Sequence, residues 1–110
     1  MISQSHLVES HFGYWPDFAD AKIVEFSWVK SGSLCLALRY IDAEQSKNAT
    51  VWLQFSGVSE LDLSEFRSEN VLDSLRLTCG EPMLVELESC YGLGGSFRCS
   101  ALIVTKVASN

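Results

Sequence analysis

Proline is scarce in this chain, with two among 110 residues, and no stretch is biased toward a few residue types. Linkers, low-complexity tails and collagen-like repeats are therefore excluded. Long apolar runs are also absent. The longest is Leu34-Cys35-Leu36-Ala37-Leu38, stopped by Arg39, far short of the ~20 residues that a spanning helix needs. The opening MISQSHLVES has no basic segment leading into an apolar one, so no secretory signal is read there and a cytoplasmic protein is expected. Positive charge is in deficit, with eight Lys and Arg against fourteen Asp and Glu and a net charge of −6. That balance argues against nucleic acid, whose affinity comes from neutralising phosphates, and against an anionic membrane surface. A cationic partner fits it. The two histidines, His6 and His11, and the cysteines at 35, 79, 90 and 99 include no C-x-x-C pair. No zinc-site spacing exists, and neither a metal nor a cofactor is expected.

What is present is a folding composition: 47% hydrophobic and 20% charged. A chain of this length suits one domain, taken as residues 1–110. In a reducing cytosol the cysteines are read as buried free thiols that pack as small hydrophobes.

Periodicity points to strands. Residues 22–29, 33–41, 50–56, 71–78, 83–90 and 96–107 carry the alternation or apolar density of strands, and Val58, Leu61 and Leu63 suggest a seventh. In the first, Ile23 is out of phase with Val24, Phe26 and Trp28. Lys30-Ser31-Gly32-Ser33 reads as a hairpin turn, residues 42–49 as a polar loop, and 64–70 as one helical turn. Residues 3–12 can form a short helix with Ser3 or Ser5 as N-cap and Gly13 past its end. The fold class is therefore α+β and predominantly antiparallel β: six to seven strands in a curved sheet or sandwich, with a short N-terminal helix. Gly94 and Gly95, read as a two-residue turn, would set Cys90 opposite Cys99 in a hairpin.

Catalytic chemistry finds little support. No G-x-S-x-G elbow or phosphate-binding loop occurs, and Gly92-Leu93-Gly94-Gly95 lies between strands with no helix N-terminus after it. Asp17 and Asp20 near His11 could form a carboxylate–imidazole cluster or a hydrolytic pair. The alternative is that one of the aspartates caps backbone N–H groups after Pro16. Phe12, Tyr14, Trp15 and Phe18 have two readings as well. They could plug one sheet face or form a recognition surface, with Tyr14 the member expected at the surface. Trp52 shares a strand face with Thr50 and Gln54, opposite Val51, Leu53 and Phe55, and becomes an exposed aromatic if that face is wet. Glu60, Asp62, Glu65, Glu69 and Asp73 are met within residues 58–73 by Arg67 alone. They form either a solvated rim or a patch that steers a basic partner.

The stretch HFGYWPDFADAKIVEF resembles the signature of the immunity protein 50 family, and GVSELDL, ENVLDSLRL and CYGLGGSFRCSALIV resemble its later landmarks, over about residues 11–104. Phe12, Gly13, Tyr14, Trp15, Pro16, Phe18, Asp20, Cys90, Tyr91, Gly92, Gly95, Phe97 and Cys99 carry the match. Most are aromatics and glycines, types that build scaffolds. Ala19 departs from the pattern, standing where the family usually has histidine. The resemblance implies a bacterial protein that binds and neutralises a cognate toxin of a polymorphic toxin system, without catalysis. Composition adds that the toxin is expected to be basic. Trp52, Glu60, Asp62, Glu65 and Glu69 are the expected contacts, followed by Arg98 and Tyr91 beside the hairpin tip, and open sheet edges leave a homo-oligomer available. The competing reading is a β domain that binds a small molecule or peptide in a pocket lined by Trp15, Phe18 and Trp28.

Overall fold

Alternating apolar residues oblige most of this chain to bury one face of a sheet. The computed structural model, which describes residues 2–110, shows how. In chain order the elements are β1 (Ile2–Ser3), α1 (His6–Phe12), β2 (Lys22–Val29), β3 (Ser33–Asp42), β4 (Lys47–Ser56), β5 (Ser59–Ser64), β6 (Val71–Thr78), β7 (Met83–Tyr91), β8 (Gly94–Cys99) and β9 (Ala101–Ser109). They form one sheet in the order β1-β9-β4-β3-β2-β6-β7-β8-β5. Only the β1–β9 pair is parallel. Among the described residues no helix is long and apolar enough to cross a membrane.

The sheet folds over on itself at one corner. β4 runs into β5 and β8 into β9, so the β4–β9 ribbon, ending at Ser56↔Ala101, continues as the β5–β8 ribbon, beginning at Ser59↔Arg98. Strands that bend together make the corner of an orthogonally packed sandwich. Ser100 holds it, since its N–H and hydroxyl both donate to the Ser56 carbonyl, at 2.9 and 3.2 Å. Gly57 makes it sterically feasible. Its φ is +63°, and a Cβ there would collide with Ser100 Oγ. Inside the corner Phe55 and Phe97 meet edge to face with ring centroids 5.0 Å apart.

The helix and the aromatic loop close the core elsewhere. Val8, Phe12 and Phe18 are fully buried, and burying each phenylalanine contributes about 2–3 kcal/mol. Phe12 and Phe18 both pack edge-on to Tyr40, at 5.2 and 5.4 Å. Gly13 caps the helix at φ +89°, its N–H donating to the Glu9 carbonyl. Ser5 sits at the N-cap position, but its hydroxyl turns to the Glu9 carboxylate instead of a backbone N–H.

Several expectations change. The sheet has nine strands because residues 96–107 break at Ser100 into two, and because the two-residue β1 joins the edge. No helical turn forms at 64–70; β5 extends to Ser64, and the segment after it is irregular. The 42–49 loop shortens to Ala43–Ser46, since β4 starts at Lys47. A bulge at Val24 puts Ile23 in register with Leu38 while Phe26 and Trp28 pair with Leu36 and Leu34, so Ile23 shares their face. The β7–β8 hairpin pairs Met83 with Cys99, which removes Cys90 from Cys99. Its tip lies at Gly92-Leu93, with Gly92 at φ +84°. Gly94 and Gly95 are strand residues of β8, and a Cβ on Gly95 would strike the Asp62 carbonyl of β5. All four cysteines are free, but only Cys99 is buried; Cys35 is half-buried, while Cys79 and Cys90 are exposed.

Gly57→Ala should destabilise the protein more than Gly13→Ala in urea titrations. Both pay the ~1–2 kcal/mol left-handed penalty, but Gly13 has open space around its Cβ position and Gly57 does not. Equal losses would remove the corner contact from the account.

Candidate functional site

The aromatic motif lies in the wall of the fold. Trp15 packs edge-on to Phe18 at 5.7 Å, and Phe18 adopts φ +60°, a backbone cost that its complete burial offsets. Asp17 caps the turn as anticipated, its Oδ1 accepting from the Ala19 N–H at 3.0 Å. The loop backbone then docks along β6: Leu75 N–H donates to Asp17 O, Asp20 N–H to Leu72 O, and Leu72 N–H to Ala21 O, each at 2.8 Å. His11 is tied to β4, where Nε2 donates to the Asn48 carbonyl at 3.0 Å. The structure thus anchors His11 on β4 and Asp20 on β6. Among the described residues no group of three or more His, Cys, Asp or Glu could hold a metal ion.

Tyr14, exposed as expected, is one of the groups whose titration is clearly displaced. Its hydroxyl donates to Asp42 Oδ2 at 2.7 Å and lies 3.2 Å from the Tyr40 hydroxyl. A phenol has one proton, so Tyr40 donates to Tyr14 while Tyr14 donates to Asp42. These bonds, Tyr40 first and then Asp42, push the Tyr14 phenol well above its ordinary range. In return the Tyr14 hydroxyl, followed by Gln45, holds the Asp42 carboxyl below the usual carboxylate range. Asp42 also accepts from the Glu44 and Gln45 N–H groups, at 3.1 and 3.3 Å, which closes the β3–β4 turn. An aspartate ending an alternating run just before a polar turn was the available signal for it.

The acidic residues fall on the β5 side and are partly neutralised there. Glu60 lies 3.4 Å from Arg98 and Glu65 2.7 Å from Arg67. The Arg67 guanidinium stands 5.9 Å from the centre of the Tyr91 ring. Two of the expected contact groups therefore assemble, Glu60 with Arg98 and Glu65 with Tyr91 through Arg67. Asp62 pairs with Ser96 in register, close to the first group. Arg98 sits opposite Leu84 near the far end of the β7–β8 hairpin, away from its tip. Glu69 neighbours the tip, since its carbonyl lies 2.7 Å from where a Cβ on Gly92 would be. Asn70, unremarked in the sequence, holds this region. Its Oδ1 accepts from the Arg67 and Leu93 N–H groups at 3.0 and 2.8 Å, and its Nδ2 donates to Arg67 O at 2.8 Å.

Trp52 stands apart from that side. On the outer face of β2–β3–β4–β9 it occupies a cross-strand row with Glu25, Ala37 and Lys106. It is half-buried, its Nε1 donating to Glu25 at 3.4 Å and the Lys106 ammonium 4.9 Å from its ring centre. Glu25 and Lys106 were not anticipated, and only the strand pairing brings them together. The pocket expected from Trp15, Phe18 and Trp28 does not assemble. Phe18 is buried, Trp28 is on β2, and Trp15 alone borders an apolar cleft of about 410 Å³ with Pro16, Leu75, Leu77 and Met83.

With this geometry in hand, comparison with known proteins is informative. The immunity protein 50 family model matches residues 4–109. The chain belongs to the immunity protein 50 family. No curated protein and no solved structure matches it. The N-terminal aromatics that carried the resemblance lie in the buried loop and the Tyr14–Asp42 cluster, and Gly92 and Gly95 lie at the Asn70-bound tip and the Gly95–Asp62 contact.

The Tyr14–Asp42 pair should stabilise the fold between two limits. The Asp42 contribution is present above the ordinary carboxylate range, near pH 4, and is lost as pH falls through its lowered folded value. That of Tyr14 is present below about pH 10 and is lost as pH rises through its raised one. Tyr14→Phe should therefore lower Tm at neutral pH, with the deficit narrowing toward about pH 3. A deficit independent of pH would contradict this assignment.

Proposed function

We propose that this chain is a non-catalytic immunity protein that binds a cognate toxin of a polymorphic toxin system and neutralises it by occupying its surface, in the cytoplasm of the cell that makes it. The family match over residues 4–109 is the observation that carries the reading. The site geometry is consistent with it. The His11 imidazole and the Asp17 carboxylate serve as structural ties, and Asp20 is held to β6 through its backbone N–H. The net charge of −6 suits a basic toxin, and complementary fields accelerate association by about 10- to 1000-fold. Glu60, Asp62, Glu65 and Glu69, with Tyr91 and Arg98, form the side we assign to the toxin. Trp52 lies on a different face and is the weaker candidate. A domain of this size can supply the ~800 Å² per partner of a standard interface.

The apolar cleft beside Trp15 favours a second reading, a domain that binds a small apolar molecule or peptide. The two readings separate on co-expression with the toxin encoded beside this gene. A purified one-to-one complex and survival of the host support the first, and no complex with continued toxicity contradicts it. Within the complex, reversing Glu60 and Glu65 to lysine should slow association at low salt by about tenfold, with the difference shrinking as salt rises. Unchanged rates at low salt would remove these residues from the interface.

A further inference from the structure

The curled sheet leaves a gap between β2 and β5. β2 pairs with β6 only at Lys22↔Val71, supported by the Ile23 N–H donating to Asn70 O at 2.8 Å. Beyond that point, residues 24–29 have β3 on one side and no strand on the other. β5 is the last strand of the sheet and pairs with β8 alone. The two open edges belong to one seam. At its far end the Val58 N–H donates to Gly32 O at 2.9 Å, joining the start of β5 to the β2–β3 turn. At its near end the chain after β5 returns to β2 through Asn70. Between these pins β2 and β5 do not pair. The one aromatic contact across the seam is Phe26 against Phe66, 5.9 Å between centroids.

Two features set this seam apart. Of the eight large apolar residues exposed among the described residues, five lie along it: Val24, Trp28 and Val29 on β2, Leu61 on β5, and Phe66, which is 64% exposed. A cleft of about 300 Å³ bordered by Ile23, Val24, Ser68 and Glu69 opens at the Asn70 end. An open edge presents unpaired N–H and C=O groups in strand geometry, which an extended polypeptide satisfies and a compact apolar ligand does not. Charge then selects the polypeptide, because β5 and the segment up to Asn70 carry Glu60, Asp62, Glu65 and Glu69 against Arg67.

We infer that the β2–β5 seam is a strand-accepting site that takes a short, extended, basic-apolar segment of the toxin, hydrogen-bonded along the free edge of β2 between Val24 and Val29 and covering Phe66. This rests on the toxin-binding function proposed above and names the surface that performs it.

Amide hydrogen exchange of the full chain, free and with the toxin encoded beside its gene, tests the assignment. Amides within 24–29 should gain at least about tenfold protection in the complex. Val24→Lys should weaken binding by about tenfold, while Ile41→Lys, at a more exposed site on β3, leaves it unchanged. A tight complex in which these amides exchange as in the free chain would overturn the seam and leave toxin binding standing. Protection already present in the free chain, with a dimer mass in sedimentation, would give the seam to a second copy and overturn the assignment. If no complex forms, the function falls and the seam's role falls with it.

Discussion

A sheet with one apolar face has to cover that face, and this chain has a single seven-residue helix to help. Curling the sheet onto itself is what remains, and everything else depends on the corner where this happens. Gly57 and Ser100 let two adjacent strands turn together, so that β4 and β9 lie on one side of the core while β5 and β8 lie on the other. The pair Phe55 and Phe97 is the direct product, since the corner brings two distant segments face to face. Helix α1 and the aromatic loop then fill the part the curl leaves open. Curling has a cost as well, because the edges of β2 and β5 stay unpaired.

This arrangement separates the residues that build the fold from those that can recognise something. Phe12, Pro16, Phe18, Gly92, Gly95 and Phe97 are each buried or held against backbone. Replacing them would alter the frame before it altered an interface. The exposed positions between these fixed points include the acidic residues of β5 and the apolar residues of β2, which is the surface proposed for recognition.

Much of this was legible in the sequence, for physical reasons. Strands β3, β4, β6 and β7 declare themselves because one face is buried and side chains alternate, and Gly13 declares the helix end through its left-handed geometry. The aromatic loop was readable as a plug, since large apolar side chains around a proline and a glycine cannot stay in water. Features set by contact between distant segments were not readable. Gly94 and Gly95 look like a hairpin turn, yet Gly95 makes room for Asp62 on β5 and Gly94 for Ser89 on β7, and the register moves accordingly. Ser100 looks like an ordinary strand residue until Gly57 is placed beside it. The grouping of Trp52 with Glu25 and Lys106 exists only across the sheet. Of the surface residues singled out, Glu65 and Glu60 are partly neutralised by pairing with Arg67 and Arg98, partners that the sequence does not assign.

The account holds that this protein disarms a toxin by remaining attached to it, one molecule to one. The most direct test titrates a fixed amount of purified toxin with purified chain and follows residual toxin activity. Activity should fall in a straight line to zero at one equivalent, and longer preincubation should not change the line. Progressive loss of activity at a small fraction of an equivalent would mean that each chain inactivates many toxin molecules, and the central claim would be wrong.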